Sequence, residues 1–374
     1  MTSYGFRLFT LEMKKNGRGA WPKMLIENND EQEHVRDYLT GLLTKRRGIA
    51  VHGNPPKVSG EPDEPDDPAE EDEEGEQGDG TVPGSARRPR PVLAIMKVHK
   101  RGDHLIIDFR YGSRSSYTHA GYSESQTDVG NPVDISELKA VRLYRAAFIL
   151  PENGEIGVLA VEDINRTCPR LALERWIRYW ARCDAREAEA KIVEDGGKKK
   201  KLDWWSVKGT PLNDPEHLNS IMKNGKSTKI VLTKVGASNS RTPGTSELKI
   251  QMGIGNDPGV AAQTRQTITS WFSGPSVPTG SADQKQASRD LAAIIADRYA
   301  GFDGEDYDDA WVDVEDESGG GVRHISPSRW ADVFTYRVHQ GESAPLDSVL
   351  YRAVKVPIER VKKSLQVEID WSGW

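Results

Sequence analysis

The chain of 374 residues holds only two cysteines, Cys168 and Cys183, and neither sits in a CxxC pair. A disulfide framework and a cysteine-rich zinc site are therefore excluded, and both thiols read as reduced and structural. Long apolar runs are missing too. Nothing approaches the roughly 20 residues of a membrane span, and Met1 to Met13 mixes charge into its apolar residues without a cleavage-like site. A soluble, cytoplasmic protein with no membrane partner is expected. The eight histidines, His34, His52, His99, His104, His119, His217, His324 and His339, show no HExxH or other paired spacing, and there is no GxSxG. Neither a zinc protease nor a nucleophile elbow is legible.

Aromatic residues are absent from Gly53 to Pro91, a stretch rich in proline and glycine. Such a segment cannot bury enough apolar surface to offset its ordering entropy, so residues 53–91 are expected to form a disordered acidic insertion. Within it, residues 61–79 carry twelve acids and no base. The formal charge of -6 consequently misleads: with those twelve set aside, 51 bases face 45 acids and the rest of the chain is +6. The insertion closes on the basic run Arg87, Arg88, Pro89, Arg90.

The length allows two cores of ordinary size. Alternation of Phe6, Leu8 and Leu11 predicts a strand from Tyr4 to Met13, and Asp30 with Glu33 offers a capping box for a helix to about Lys45. Val92 to His99 and His104 to Tyr111 predict one hairpin. Val141 to Leu150 and Ile156 to Val161, around Asn153-Gly154, predict a second. Leu173, Trp176, Ile177 and Trp180 have helical spacing after Pro169. Glu194 to Lys201 reads as a boundary, giving an N-terminal domain over 1–195 and a C-terminal one over 196–374. In the second, a short helix from Asp214, strands at Thr228 to Val235, Glu247 to Met252, Ala310 to Val314 and Ala331 to Val338, and helices from Asp257 and over Ala282 to Tyr299 are expected; Val349 to Ile369 resists assignment. The fold class is α+β, two largely antiparallel sheet-plus-helix halves.

The chemistry legible in this chain concerns polyanions first. Lys198, Lys199, Lys200, Lys201, Trp204, Trp205, Lys208, Lys223, Lys226, Lys229 and Lys234 combine ammonium groups that seek phosphate with indoles that stack on bases. The plainer alternative is a solvated loop anchored by its tryptophans. Asn224-Gly-Lys-Ser-Thr228 echoes a P-loop, but Ser220 stands where the first glycine belongs, and the element order is reversed. Gly253, Gly255 and Gly259 sit between a strand and a helix with a spacing that departs from the dinucleotide fingerprint. Asp313 and Glu315 would share one strand face and are candidate ligands for a divalent ion, the one cofactor considered. Glu247 and Lys249 form the ExK half of a metal-dependent nuclease site, and Glu162-Asp163 is an acidic pair at a strand end. These four are the catalytic candidates; the sequence leaves open whether there is catalysis at all.

The block Glu155 to Ile164, continuing through Asn165-Arg-Thr-Cys-Pro-Arg-Leu171 into the Trp176 helix, resembles a segment of uncharacterised bacterial proteins from mobile-element and anti-phage defence loci. The resemblance covers some 30 residues and implies a role in bacterial defence, but transfers neither a fold nor a catalytic residue. The expectation is a nucleic-acid-associated protein, with DNA or RNA as partner, whose basic surface is gated by the acidic tether. The alternative is a non-catalytic scaffold that recruits a basic protein through residues 61–79. A metal-dependent nuclease is third.

Overall fold

Near the N-terminus, Phe9, Leu11 and Met13 join a core on one side of their strand, while Phe6 and Leu8 are buried on the other. An alternation that is apolar on both faces belongs to a strand with a layer on each side. The computed structural model of the chain describes residues 2–17, 20–21, 23–28, 31–56, 91–112, 141–152, 154–198, 201–212, 214–224, 228–235, 247–253, 309–315, 322–326, 334–365 and 367–374, with five residues between 286 and 293. The acidic run 61–79, the glycines at 255 and 259, the helix expected from Asp257, and most of the helix expected over 282–299 lie outside the described residues.

In chain order the elements are β1 (Thr2–Lys15), β2 (Ala20–Trp21), β3 (Leu25–Asn28), β4 (Glu31–His34), α1 (Val35–Thr44), β5 (Ala50–His52), β6 (Val92–Arg101), β7 (His104–Gly112), β8 (Arg142–Ile149), β9 (Gly157–Ile164), α2 (Arg170–Glu194) and β10 (Trp205–Pro211). They continue with α3 (Pro215–Asn224), β11 (Thr228–Val235), β12 (Glu247–Gly253), β13 (Asp309–Glu315), β14 (Val322–Ile325), β15 (Thr335–Gly341) and α4 (Asp347–Leu365). The fold is α+β, as expected. One sheet runs β10-β1-β9-β8-β7-β6-β5, antiparallel at every step of that path, with β2 and β15 also pairing β1. A second, four-stranded sheet runs β12-β11-β13-β14, and β3 and β4 form a two-stranded ribbon.

The large sheet carries helices on both faces. Val35, Leu39, Leu42 and Leu43 of α1 and Leu173, Trp176, Ile177 and Trp180 of α2 share a core with Leu93, Ile95, Leu105, Ile107, Phe109, Phe148, Leu159 and Val161. Each such side chain contributes about 1.5–3 kcal/mol on burial. On the opposite face Arg145 reaches the Pro345 carbonyl at 2.8 Å, which brings α4 against the sheet. Leu350, Val354, Ile358 and Val361 form the buried side of that helix.

The chain divides into two units. One comprises Thr2–Ser59, Asp79–Pro211 and Arg337–Trp374, the other Leu212–Tyr336. The division does not fall at residue 195. After α2 the chain returns to the sheet as β10, pairing Met13 with Val207, and Arg170 donates to the Gly209 carbonyl at 2.6 Å while the Gly209 N–H donates to Glu174 at 3.1 Å. The glycine-and-lysine segment is therefore a helix-to-strand connection. Two further expectations shift. Helix α1 begins at Val35, because residues 31–34 pair with β3 and His34 Nδ1 accepts the Arg36 N–H at 3.1 Å as the cap. The stretch from residue 349 that carried no assignment is helical despite Pro357.

Candidate functional site

Glu162 and Asp163 are neighbours on β9, so the pleat sends them to opposite faces of the sheet. Both are nearly inaccessible, and each is held by its own arginine. Arg145 Nε donates to Glu162 at 3.0 Å, the Arg145 backbone N–H donates to the same oxygen at 3.0 Å, and Nη1 donates to Asp347 at 2.9 Å. Burial works against the charge on Arg145, but Glu162 and Asp347 outweigh it and hold the guanidinium above its ordinary range. On the other face, Arg7 Nε donates to Asp163 at 2.8 Å. Buried carboxylates paired to arginines in this way have the arrangement of structural ion pairs.

The lysine-and-tryptophan constellation separates in the same manner. Trp205 is fully buried and Trp204 nearly so; Trp205 packs edge-on against Trp21, with ring centroids 5.0 Å apart. Neither indole is available to stack on a base. Lys198, Lys201, Lys208 and Lys229 are exposed, whereas Lys199, Lys200 and Lys226 lie outside the described residues, and only the backbones of Lys223 and Lys234 are described. Acids dilute the exposed group: Glu12 stands opposite Lys208, and Glu194, Asp195 and Asp203 flank the lysine run.

In the smaller unit, Asp313 is in register with Lys229 on one side and His324 on the other. His324 Nδ1 and Asp313 Oδ1 are 2.5 Å apart. An aspartate that orients an imidazole is half of a general-base arrangement, but Asp313 is then committed to His324 rather than to an ion shared with the exposed Glu315. Glu247 and Lys249 fall on β12 opposite Val235 and Thr233, with only their backbones described. Among the described residues no group of three or more His, Cys, Asp or Glu side chains is placed to hold a metal.

One cleft, of about 230 Å³, lies between α1 and α2. Gly41, Ala181, Ala185 and Ala188 leave the space, and Glu33, Lys45, Asp184 and Asp203 surround it. Lys45 pairs with Asp184 at 3.1 Å and Lys15 with Asp203 at 2.8 Å. Burial raises Asp203, but hydrogen bonds from Lys15 and Asn16 outweigh it and hold the carboxyl below its usual range. Tyr38 at its base is pushed up by burial; its hydroxyl donates to the Trp205 carbonyl at 3.1 Å and accepts the Trp205 N–H at 3.3 Å. The cleft is smaller than most small-molecule sites, and its polar groups are already paired.

Sequence reasoning passed over α4 and the segment after it. Trp371 stacks on His104 with ring centroids 5.3 Å apart, Trp374 meets the same imidazole edge-on at 4.7 Å, and Lys355 lies over Trp371 at 5.0 Å. The signal was present as Arg352, Lys355, Arg360, Lys362 and Lys363 within twelve residues, hidden by the unassigned secondary structure.

These features define an α+β protein built on a curled antiparallel sheet clad by helices, with Arg145–Glu162 and Arg7–Asp163 as buried ion pairs. Comparisons with family models, with curated proteins and with solved structures find no match. Among the described residues no helix is long and apolar enough to cross a membrane.

Proposed function

We propose that the protein associates with nucleic acid through phosphate contacts, and that its acidic segment 61–79 competes with the polyanion for the same cations. The observation that carries this reading is the charge partition: twelve acids confined to 61–79 beside a remainder of +6. Cations of such a surface release the counterions condensed on a nucleic acid, and a tethered acidic run reduces that gain by occupying the basic side chains at high effective concentration. The likeness of residues 155–171 to proteins of anti-phage loci supports a bacterial defence setting. Deleting 61–79 should tighten binding of labelled DNA or RNA, most at low salt, where screening is weak. If neither the full chain nor the deletion shifts the probe at low ionic strength, the reading is wrong.

The scaffold reading draws on the acidic run itself, twelve acids and no base over 61–79, which suits a basic protein partner. A pull-down with the isolated 53–91 peptide separates the two, because only a scaffold that works through the insertion loses its partner with that peptide. A nuclease would have to rest on Glu247, Lys249 and Asp313; Mg²⁺-dependent cleavage that survives their alanine substitution removes them.

A further inference from the structure

The outward side of α4 is a basic surface. Between Arg352 and Lys363 there are five bases, Arg352, Lys355, Arg360, Lys362 and Lys363, and one acid, Glu359. Helical periodicity sorts them. Leu350, Val354, Ile358 and Val361 turn to the sheet, so Arg352, Val356, Arg360 and Lys363, at i, i+4, i+8 and i+11, share the opposite side. Arg352, Arg360 and Lys363 are exposed. They span about 16 Å of helix, long enough to follow a nucleic-acid backbone over several nucleotides. Lys355 and Lys362 flank the row, with Lys362 paired to Glu359 at 2.5 Å. The helix dipole accounts for Lys362 and Lys363 in the last turn, but not for Arg352 and Arg360 in the middle of the helix. Glu368 and Asp370 follow only after the helix has ended.

Resting on the nucleic-acid reading above, we infer that this face of α4, rather than the lysines at 198–208, is the principal phosphate-contact surface. Two features give the binding mode. The faces of Trp371 are occupied by His104 and Lys355, so the aromatic neighbour braces the helix and is not a platform for bases. The row itself consists of long cationic side chains on a rigid helix, which position a backbone without reading sequence. Binding through α4 is therefore sequence-independent and steeply salt-dependent.

The test uses fluorescence anisotropy with labelled oligothymidylate, oligouridylate and a DNA duplex, on the full chain and on the form lacking 61–79. The double variant Arg352→Glu/Lys363→Glu should bind about ten-fold more weakly or worse. Its slope of log affinity against log salt should fall by about two, one per lost contact. Arg352→Gln/Lys363→Gln should lie between it and the parent. Lys198→Glu/Lys201→Glu should change little, and unchanged thermal unfolding guards against a folding artefact. If the α4 variant binds like the parent while the 198/201 variant loses affinity, the surface is misassigned although the nucleic-acid reading stands. If neither parent form binds any probe, the nucleic-acid reading itself fails. Labelled polyglutamate that binds the form lacking 61–79 while no oligonucleotide does would overturn the assignment in favour of an acidic protein segment.

Discussion

A guanidinium as enclosed as that of Arg145 is tolerable only where acceptors surround it, and Glu162, Asp347 and the Pro345 carbonyl provide them. Truncating one partner strands the other. Arg145→Ala leaves Glu162 as a lone buried carboxylate and should cost about 3–5 kcal/mol in chemical denaturation. The double variant Arg145→Met/Glu162→Leu should recover most of that loss, because the charge and its counter-charge leave together. His104 presents the opposite situation. Its ring is fully enclosed, and neither nitrogen makes a hydrogen bond of good geometry. Burial holds it below the ordinary imidazole range, against the pull of Asp103, Asp370 and the Asp370 backbone, while Arg36 lowers it further. The folded protein therefore binds fewer protons here than the unfolded chain. The contribution is fully present above about pH 6.5 and is lost as pH falls below that towards the depressed folded value. Melting temperatures measured from pH 7.5 to 5 should decline less steeply in His104→Phe than in the parent.

At the scale of elements, the turn after β1 shows what a short motif can fix. Asn16 and Gly17 both have positive φ, the Asn16 N–H donates to the Trp204 carbonyl at 2.8 Å, and Asn16 Oδ1 accepts the Trp204 N–H at 3.0 Å. A β-carbon at Gly17 would lie 2.9 Å from the Trp204 ring. Gly17→Ala should destabilise by about 1–3 kcal/mol, read by urea denaturation, since strain and contact act together. This Asn-Gly pair was available in the sequence and carried as much information as the pair at 153–154. The two long hairpins and α2 were legible because their apolar periods are local. Strand β10 was not, since its partner is β1, far away along the chain, and its lysines and tryptophans resembled a binding loop. Among the site candidates, Glu162 and Asp163 were misleading for a related reason: their arginine partners come from other strands, and no spacing rule exposes such a pairing.

At the scale of the molecule, the membership of β10, β15 and α4 in the larger unit makes a prediction about fragments. A chain truncated after residue 195 lacks the strand that covers one side of β1 and the helix that covers the lower face of the sheet. It should show no cooperative thermal transition by circular dichroism, whereas cleavage within 212–336 should leave the larger unit's transition in place. A fragment 1–195 that melts cooperatively near the temperature of the full chain would sink this assignment.

The position of β1 also has a consequence for biosynthesis. Strand β1 is a central one made well before its main partners, and Leu8 must wait for Ala160 and Leu11 for Gly157 and Gly209 before either is paired. Until then an apolar strand with buried-type residues on both faces stays open to other chains. Non-local closure of this kind is slow, so nascent chains stalled before residue 211 should be the species that associate with chaperones, and productive folding should begin only after β10 has emerged.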